Sequence, residues 1–419
     1  MQIRSLAHGG EGVGQQEDGL TWFVPGTLPG EVVEVETERR KARWARGRLV
    51  QVVEPGPDRV TPPCSLADRC GGCDWQHIAA ARQAEHKRTI VADQLRALVA
   101  DEGQVRLAPR VGSARGYRRR ARMHYVREGE TLELGFYATR SREVVDAPKC
   151  PVLRPELEQA FSRLRAIAHI LPPRGEVLGL SDGQRTMLAL PGVRPDDTTL
   201  EAAATLLDEQ LVGVLLRGGR NQAHVGRAKL EIDGGDGLSS MWANPFTFAQ
   251  ANAPVNRALV KHVTAMARPD GLRVLELYAG AGNLSRALAK TARRVWTLDD
   301  DREAAGLLRD MASAQRLPIN SKHGSAPNLL QRLADGDTRY EVVVVDPPRA
   351  GMGEAAAAAL ATVAERRVVY VSCDPATLAR DLKPLVAGGL RLVDVTVFDM
   401  MPMTAQVEVV VTLARAGTS

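Results

Sequence analysis

From about residue 255 to the C-terminus, strand-like and helix-like runs take turns, and few architectures accept that order. RVLELYAGAGN reads as a strand entering a Gly-rich turn, SRALAKTA as a helix, and RRVWTLD and YEVVVVD as strands. AAAAALATVAE is a further helix and RVVYVSC a further strand. Such alternation predicts a parallel sheet with helices on both faces, a Rossmann-like α/β domain over 255–419. Residues 1–57 follow another rule: LTWFVPGTLPGEVVEVETE and ARWARGRLVQVVEPGP are short β-type runs between Gly and Pro turns, the pattern of a small OB-like β-barrel. Residues 58–254 mix strands and helices, with a helical run at about 78–100. A chain of 419 residues exceeds one ordinary core, so a multidomain protein with three units over these spans is expected.

The opening MQIRSLAHGGEGVGQ has no apolar segment of the secretory type, and VVVV at 342–345 is far too short to cross a bilayer. A cytoplasmic monomer with no membrane partner is expected. Net charge is only +5, but the cations are crowded. Arg39, Arg40, Lys41, Arg43, Arg46 and Arg48 lie on or beside one barrel strand, and ARGYRRRARMHY (114–125) is the densest basic run. Charge runs are more often a solvated face. Next to a barrel that can present a basic face to nucleic acid, we read them as RNA contacts.

The strand at 272–278 runs into Ala279-Gly280-Ala281-Gly282-Asn283. Glycines there let the backbone approach a ligand at the carboxyl end of the sheet. The spacing is not the dinucleotide fingerprint. Asp299, at the end of the next strand, can accept from ribose hydroxyls. A pocket of this kind needs no phosphate, which suits S-adenosylmethionine; the plain alternative is a Gly turn that tightens a helix onto the sheet.

Asp346-Pro347-Pro348-Arg349 and Ser372-Cys373-Asp374-Pro375 each close an apolar strand, again at carboxyl ends. Carbon 5 of uracil is a poor nucleophile toward a methyl sulfonium. A thiolate that adds to carbon 6 turns the ring into an enolate and activates carbon 5, and a base must then remove the carbon 5 proton. Cys373 is the candidate nucleophile. Glu408, which interrupts an apolar terminal strand, is the candidate base. Taken singly, the cysteine reads as a small buried hydrophobe and the glutamate as an edge charge; their company with DPPR and the Gly turn favours chemistry. Adenine amino methylation wants an aromatic after D/N-P-P to stack the base, where Arg349 stands, and the RNA cytosine carbon 5 pattern of a Cys directly after D-x-P is not met.

The other cysteines, Cys64, Cys70, Cys73 and Cys150, sit far from Cys373. Four thiolates suit zinc or an iron–sulfur cluster, and the spacing matches neither paired zinc knuckles nor ferredoxin runs. His77 and His86 read as surface or packing residues.

Several segments are similar, in order and over nearly the full length, to the bacterial RNA 5-methyluridine methyltransferases, in particular the ribosomal RNA branch with an iron–sulfur cluster. These are DGLTWFVPGTLPGE, CSLADRCGGCDWQH, GFYATRSREVVDAPKCPVL, FTFAQANAPVN, LELYAGAGN, VDPPRAG, YVSCDPATLARD and the terminal T-x-x-x-E. The resemblance implies an RNA-binding TRAM domain at the N-terminus and uridine carbon 5 methylation with Cys373 as nucleophile and Glu408 as base. It places Gln250, Tyr278, Asp299 and Asp346 on S-adenosylmethionine beside Gly280 and Gly282, with Asn283 and Ser325 matching by position. It assigns Cys64, Cys70, Cys73 and Cys150 to a [4Fe-4S] cluster that staples the cysteine loop to the central domain. It favours 23S ribosomal RNA over transfer RNA as partner; the alternatives are the same chemistry on transfer RNA, or an RNA-binding protein with little activity. Two positions depart from the family pattern: Asp374 stands where Asn is usual, and Gln406 where His is common.

Overall fold

Five short N-terminal strands with alternating burial close on themselves. They are β1 (Ile3–Leu6), β2 (Gly12–Gln15), β3 (Thr21–Val24), β4 (Val32–Arg40) and β5 (Trp44–Glu54), paired in the order β1-β2-β3-β5-β4. A bridge from Gln2 to Val32 joins the two outer strands, so the sheet is a barrel, filled by Ile3, Val24 and Val33. In this computed structural model residues 1–16, 19–232 and 238–417 are described; Asp18, which opens the barrel segment quoted above, lies outside them. No helix among the described residues is long and apolar enough to cross a membrane.

The helical run expected at about 78–100 is shorter, Gln83–Leu95, and is followed by β6 (Val105–Leu107). Both pack into the C-terminal unit: Val91, Leu95 and Val105 share a core with Leu382 and Val395. The middle of the chain builds a seven-stranded sheet from β7 (Arg120–Glu128), β8 (Thr131–Tyr137), β9 (Val144–Asp146), β10 (Arg174–Ser181), β11 (Thr186–Pro191), β12 (Leu211–Gly218) and β13 (Asn221–Gly226). Its order is β13-β12-β11-β10-β7-β8-β9, with only β11 and β12 parallel. One face buries Leu157 and Phe161 of the helix Pro155–Arg163. The other meets a two-stranded ribbon, β14 (Leu230–Ile232) with β15 (Met241–Ala243), and Ala281 and Ala304 of the C-terminal unit.

That unit is an eight-stranded sheet whose apolar runs are buried on both faces, as parallel strands under helices must be. Its strands are β16 (Arg273–Leu277), β17 (Arg294–Asp299), β18 (Ile319–His323), β19 (Tyr340–Val345), β20 (Ala364–Ser372), β21 (Leu390–Phe398) and β22 (Glu408–Arg415), with β6 added at one edge. The order is β18-β17-β16-β19-β20-β22-β21-β6. β18 to β20 run parallel, and β22 is antiparallel to both its neighbours. The direction of winding reverses between β16 and β19, so the carboxyl ends of those strands frame a crevice. Glu408 therefore opens an interior strand, which removes its reading as an edge charge.

Candidate active site

The turn after β16 is shaped for a close approach. Tyr278, Gly280 and Gly282 all have positive φ, 61°, 53° and 94°. A Cβ on Gly282 would lie 2.4 Å from Leu308 Cδ1, whereas one on Gly280 would meet nothing within 4 Å. Gly282 packs the turn onto the helix Arg302–Ala314; Gly280 leaves open space over it. Asp299, at the end of β17, accepts at Oδ2 from the Gly280 N–H (2.6 Å) and at Oδ1 from the Asp301 N–H (2.8 Å). These two bonds pull its carboxyl down, but burial outweighs them and holds it above the ordinary range.

Three neighbours behave differently from one another. The side chain of Asn283 is committed to the protein: it exchanges two amide hydrogen bonds with Asn256, at 2.8 and 2.9 Å. Together with Arg286, whose Nη1 donates to the Ser239 carbonyl (2.6 Å), this pins the following segment, and the helix expected there is only the single turn Ser285–Leu288. Ser325 is exposed and caps the helix Ala326–Asp335. Gln250 is buried, and its carbonyl accepts from Arg119 Nε (2.8 Å).

One acid in this crevice was missed in the sequence. Glu276, the lone carboxylate inside RVLEL of β16, is fully buried and its Oε2 has no hydrogen-bond partner. Burial pushes it up to about 8 against the help of Ser285, and the charges of Asp346 and Asp299 add to the rise. A lone acid in an apolar strand was the signal that singled out Glu408, and it was there to be read at Glu276 too.

Across the crevice, Asp346 follows β19, Cys373 follows β20, and Glu408 opens β22. The antiparallel register ends on the pair Ser372–Val409, so Cys373 and Glu408 each stand one residue beyond it, and the charges of Glu408 and Asp346 both act on the Cys373 thiol. Burial raises the carboxyls of Asp346 and Glu408 well above their ordinary values, and the charge of Asp346 raises Glu408 further. Burial also lifts the Cys373 thiol to about 11, helped by Glu408 and Asp346 and opposed by Arg349. The charge of Arg349 acts on both Cys373 and Glu408, and its Nη2 donates to Gln406 Oε1. The arrangement is a protonated thiol facing buried acids, with a guanidinium to stabilise negative charge when it forms.

Residues 313–416, which contain all three groups, match the tRNA (uracil-5-)-methyltransferase family, and residues 2–50 match the TRAM domain. The chain is 33% identical over 425 residues to the 23S rRNA (uracil(1939)-C(5))-methyltransferase RlmD of Pseudomonas aeruginosa, covering 97% of this chain and 92% of that one. It is 35% identical to the RlmD of Chromohalobacter salexigens, over 99% of this chain and 89% of that one. The chain belongs to the RNA uracil-5-methyltransferase family. Its whole fold resembles the tRNA (uracil-54, C5)-methyltransferase of Pyrococcus abyssi, with a TM-score of 0.75, 24% identity and 98% of each chain covered.

In this uracil-5-methyltransferase the remaining cysteines are gathered elsewhere. Cys64, Cys70, Cys73 and Cys150 line one small cavity with Gly72, Arg118 and Phe136. The Gly72 N–H points at Cys70 Sγ, 3.4 Å away. Burial raises the thiols of Cys70, Cys73 and Cys150, Cys73 to about 12, and the sulfurs raise one another, while Arg118 opposes. Among the described residues, no group of three or more His, Cys, Asp or Glu is set to hold a single metal ion. His86 bonds to Asp58 at 3.0 Å and His77 is buried at the barrel, so both pack rather than join the cysteines.

The basic runs divide. Arg39, Arg40, Lys41 and Arg43 are exposed at the far end of the β4–β5 hairpin, but Arg46 turns back to Glu11 (2.6 Å) and Arg48 pairs with Glu36. In the second run Arg115 and Arg122 are exposed, whereas Arg119 is only 4% exposed. The expectation that this whole run faces RNA needs correcting. It leads into β7, where alternate side chains must point inward, and Arg119 and Arg120 are spent on the carbonyls of Gln250 and Thr247. Their bonds support a loop that carries Phe248, 58% exposed, with the Arg120 guanidinium 5.5 Å from its ring centroid.

Proposed function

We propose that this enzyme methylates carbon 5 of a uridine in ribosomal RNA through a covalent bond between Cys373 and carbon 6. The observation that carries the reading is that Cys373 and Glu408 stand one residue beyond the last β20–β22 pair, Ser372–Val409, with the charges of Glu408 and Asp346 both acting on the thiol. Curated relatives over 90% and more of this chain are named for 23S ribosomal RNA, which favours that substrate over transfer RNA.

Bound S-adenosylmethionine supplies an electrophilic methyl group on a sulfonium. The crevice fits it: open space over Gly280, an unpartnered Glu276 oxygen, and Asp299 and Asp346 within the same acidic pocket, which suits a cationic ligand. The Cys373 thiol, its thiolate favoured by Arg349, gives its proton to solvent; the sulfur then bonds to carbon 6 and the carbon 5–carbon 6 π pair moves into the ring enolate, whose carbon 5 takes the methyl group. After carbon 5 has taken the methyl group, Glu408 accepts the carbon 5 proton, the sulfur–carbon 6 bond breaks, and the carbon 5–carbon 6 double bond returns. A base must be a carboxylate to do this. The raised affinity of Glu408 for protons makes it a stronger base once ionised.

Four thiols lining one small cavity suit either zinc or an iron–sulfur cluster, and the resemblance to the iron–sulfur branch of the family favours the cluster. Cys64, Cys70, Cys73 and Cys150 would hold a [4Fe-4S] group as a structural staple, with no redox step in methyl transfer.

The test is incubation with 5-fluorouridine RNA and labelled S-adenosylmethionine, followed by a denaturing gel. Fluorine at carbon 5 cannot leave as a proton, so the parent enzyme should be trapped on RNA and Cys373→Ala should not. A trapped complex that survives Cys373→Ala would overturn the assignment.

A further inference from the structure

Glu408 is reached through a connection, Asp399 to Val407, whose own bonds, Thr404 Oγ1 to the Met401 carbonyl (2.8 Å) and the Gln406 N–H to Thr404 Oγ1 (3.2 Å), are joined by many from other parts of the chain. Met403 sits in the left-handed region at φ 68°, which costs a residue with a Cβ free energy unless its surroundings over-determine it. Those surroundings come from outside the catalytic sheet. Lys87, fully buried, donates from Nζ to Asp399 Oδ1 (2.6 Å) and to the Met401 carbonyl (3.0 Å). The Tyr117 hydroxyl donates to the Pro402 carbonyl at 3.0 Å. Gln83, also fully buried, accepts from the Met403 N–H at 2.7 Å and donates to the carbonyls of Trp75 (3.0 Å) and Ile78 (2.9 Å). The Trp75 N–H donates to the Met403 carbonyl (3.0 Å), and the Ala405 N–H donates to Asp74 Oδ1 (2.8 Å).

We propose that Lys87, Gln83 and Tyr117 are positioning residues for methyl transfer: they clamp Asp399–Ala405 so that Glu408 meets the carbon 5 proton. The inference rests on the reading of Glu408 as the base. Burying a lysine is costly, and its cost is offset here by two bonds into this connection, with the charge of Asp74 and the Trp75 ring (5.8 Å) beside the ammonium. Nothing about core filling requires an ammonium there. A methionine would fill the volume, but it would deprive Asp399 of its ammonium partner and take one of two donors from the Met401 carbonyl, which keeps the Thr404 hydroxyl at 2.8 Å. The connection could then settle into another conformation, and the first group displaced along the strand would be Gln406 or Glu408. Cys373 directly follows β20 and Asp346 directly follows β19, outside the clamp, so sulfur addition and methyl transfer should be spared while proton removal is slowed.

A role of that kind predicts a particular kinetic signature. With ordinary uridine RNA and S-adenosylmethionine, Lys87→Met should accumulate the methylated covalent complex on a denaturing gel, with product release slowed roughly 10- to 100-fold, the scale of a misplaced catalytic group. RNA and S-adenosylmethionine affinities should stay at the parent values, and Lys87→Arg should restore part of the turnover. Tyr117→Phe removes one hydrogen bond without changing shape, so it keeps the test usable if Lys87→Met does not fold; it should show the same accumulation more weakly. Two outcomes overturn the clamp: turnover by both variants at the parent rate, or a parallel loss of RNA binding and complex formation that marks a merely structural role. If the parent enzyme itself is not trapped by 5-fluorouridine RNA, it is the underlying mechanism that fails instead, and the two failures are told apart on the same gel.

Discussion

His8 and Asp374 are 366 positions apart in sequence and touch in the fold, imidazole Nε2 to carboxylate Oδ2 at 3.1 Å. The contact ties a turn of the N-terminal barrel to the residue that follows Cys373. Asp374 is also the cap of the helix Pro375–Ala387, accepting at Oδ1 from the N–H groups of Ala376 (3.1 Å) and Thr377 (2.9 Å). Burial alone would raise its carboxyl; the Thr377 N–H and His8 more than reverse that and hold it below the ordinary range.

A lowered folded pKa means that Asp374 contributes stability above the ordinary carboxylate range and loses it as pH falls through the folded value. Asp374→Asn keeps an acceptor for the helix but loses the charge, so its deficit against the parent in urea unfolding should be small at neutral pH and shrink as pH falls. Asp374→Ala removes the cap and should cost about 1 kcal/mol. Equal losses in the two variants would show that the cap contributes nothing.

Glu276 predicts the opposite pH dependence. Its folded pKa is pushed up to about 8 from an ordinary 4.5, so the fold favours the protonated form. Stability is therefore fully present below the ordinary value and falls as pH rises through about 8. Glu276→Gln cannot ionise. Relative to the parent, and without cofactor, its urea midpoint should improve on going from about pH 5 to about pH 9. A constant difference across that range would mean that Glu276 is ionised in the fold throughout.

How much of this was legible beforehand depended on the kind of signal. Strand-and-helix alternation gave the C-terminal sheet, and short runs between Gly and Pro gave the barrel, because both patterns are local. The residues Cys373, Asp346 and Glu408 could be singled out as candidates because polar groups ending or interrupting apolar strands stand out. The clamp on Asp399–Ala405 was not readable: Lys87 and Gln83 look like any polar residues of a surface helix, and only tertiary contact shows them buried. Arg119 failed for the reverse reason. A run of arginines looks solvated in one dimension, while the pleat of β7 and the carbonyl of Gln250 draw one of them inside.

Phe248 is a large apolar side chain left exposed beside the loop that carries Gln250, with Arg120 against its ring. An aromatic face next to a guanidinium is a stacking platform for a splayed base. Phe248→Ala should weaken RNA binding by about 1–3 kcal/mol and leave S-adenosylmethionine binding unchanged, measured by titration of each ligand separately. An RNA affinity equal to the parent's would remove Phe248 from the interface.

The β4–β5 hairpin offers charge instead of stacking. Arg39, Arg40, Lys41 and Arg43 are exposed there, and Arg39 also lies 5.9 Å from the Trp44 ring centroid. If these side chains displace counterions from phosphate, each contact removed should lower the slope of log affinity against log salt by about 1. Arg43→Gln and Lys41→Gln should do so across unrelated RNA sequences alike. An unchanged salt slope would place the hairpin away from the RNA.

The thiol of Cys373 gives a last test that needs neither RNA nor cofactor. Its pKa, pushed up to about 11, keeps it protonated at neutral pH, so alkylation by iodoacetamide should be slow there and accelerate as pH rises. The two neighbours act with opposite sign: Glu408 raises the thiol and Arg349 lowers it. Glu408→Gln removes a repelling carboxyl and should speed alkylation at a given alkaline pH, whereas Arg349→Met removes the stabilising cation and should slow it. Mass spectrometry of the Cys373 peptide separates this thiol from the four cysteines of the other cavity. Should both variants move the rate in the same direction, the change would reflect access to the sulfur, and the electrostatic account of the resting thiol would fall.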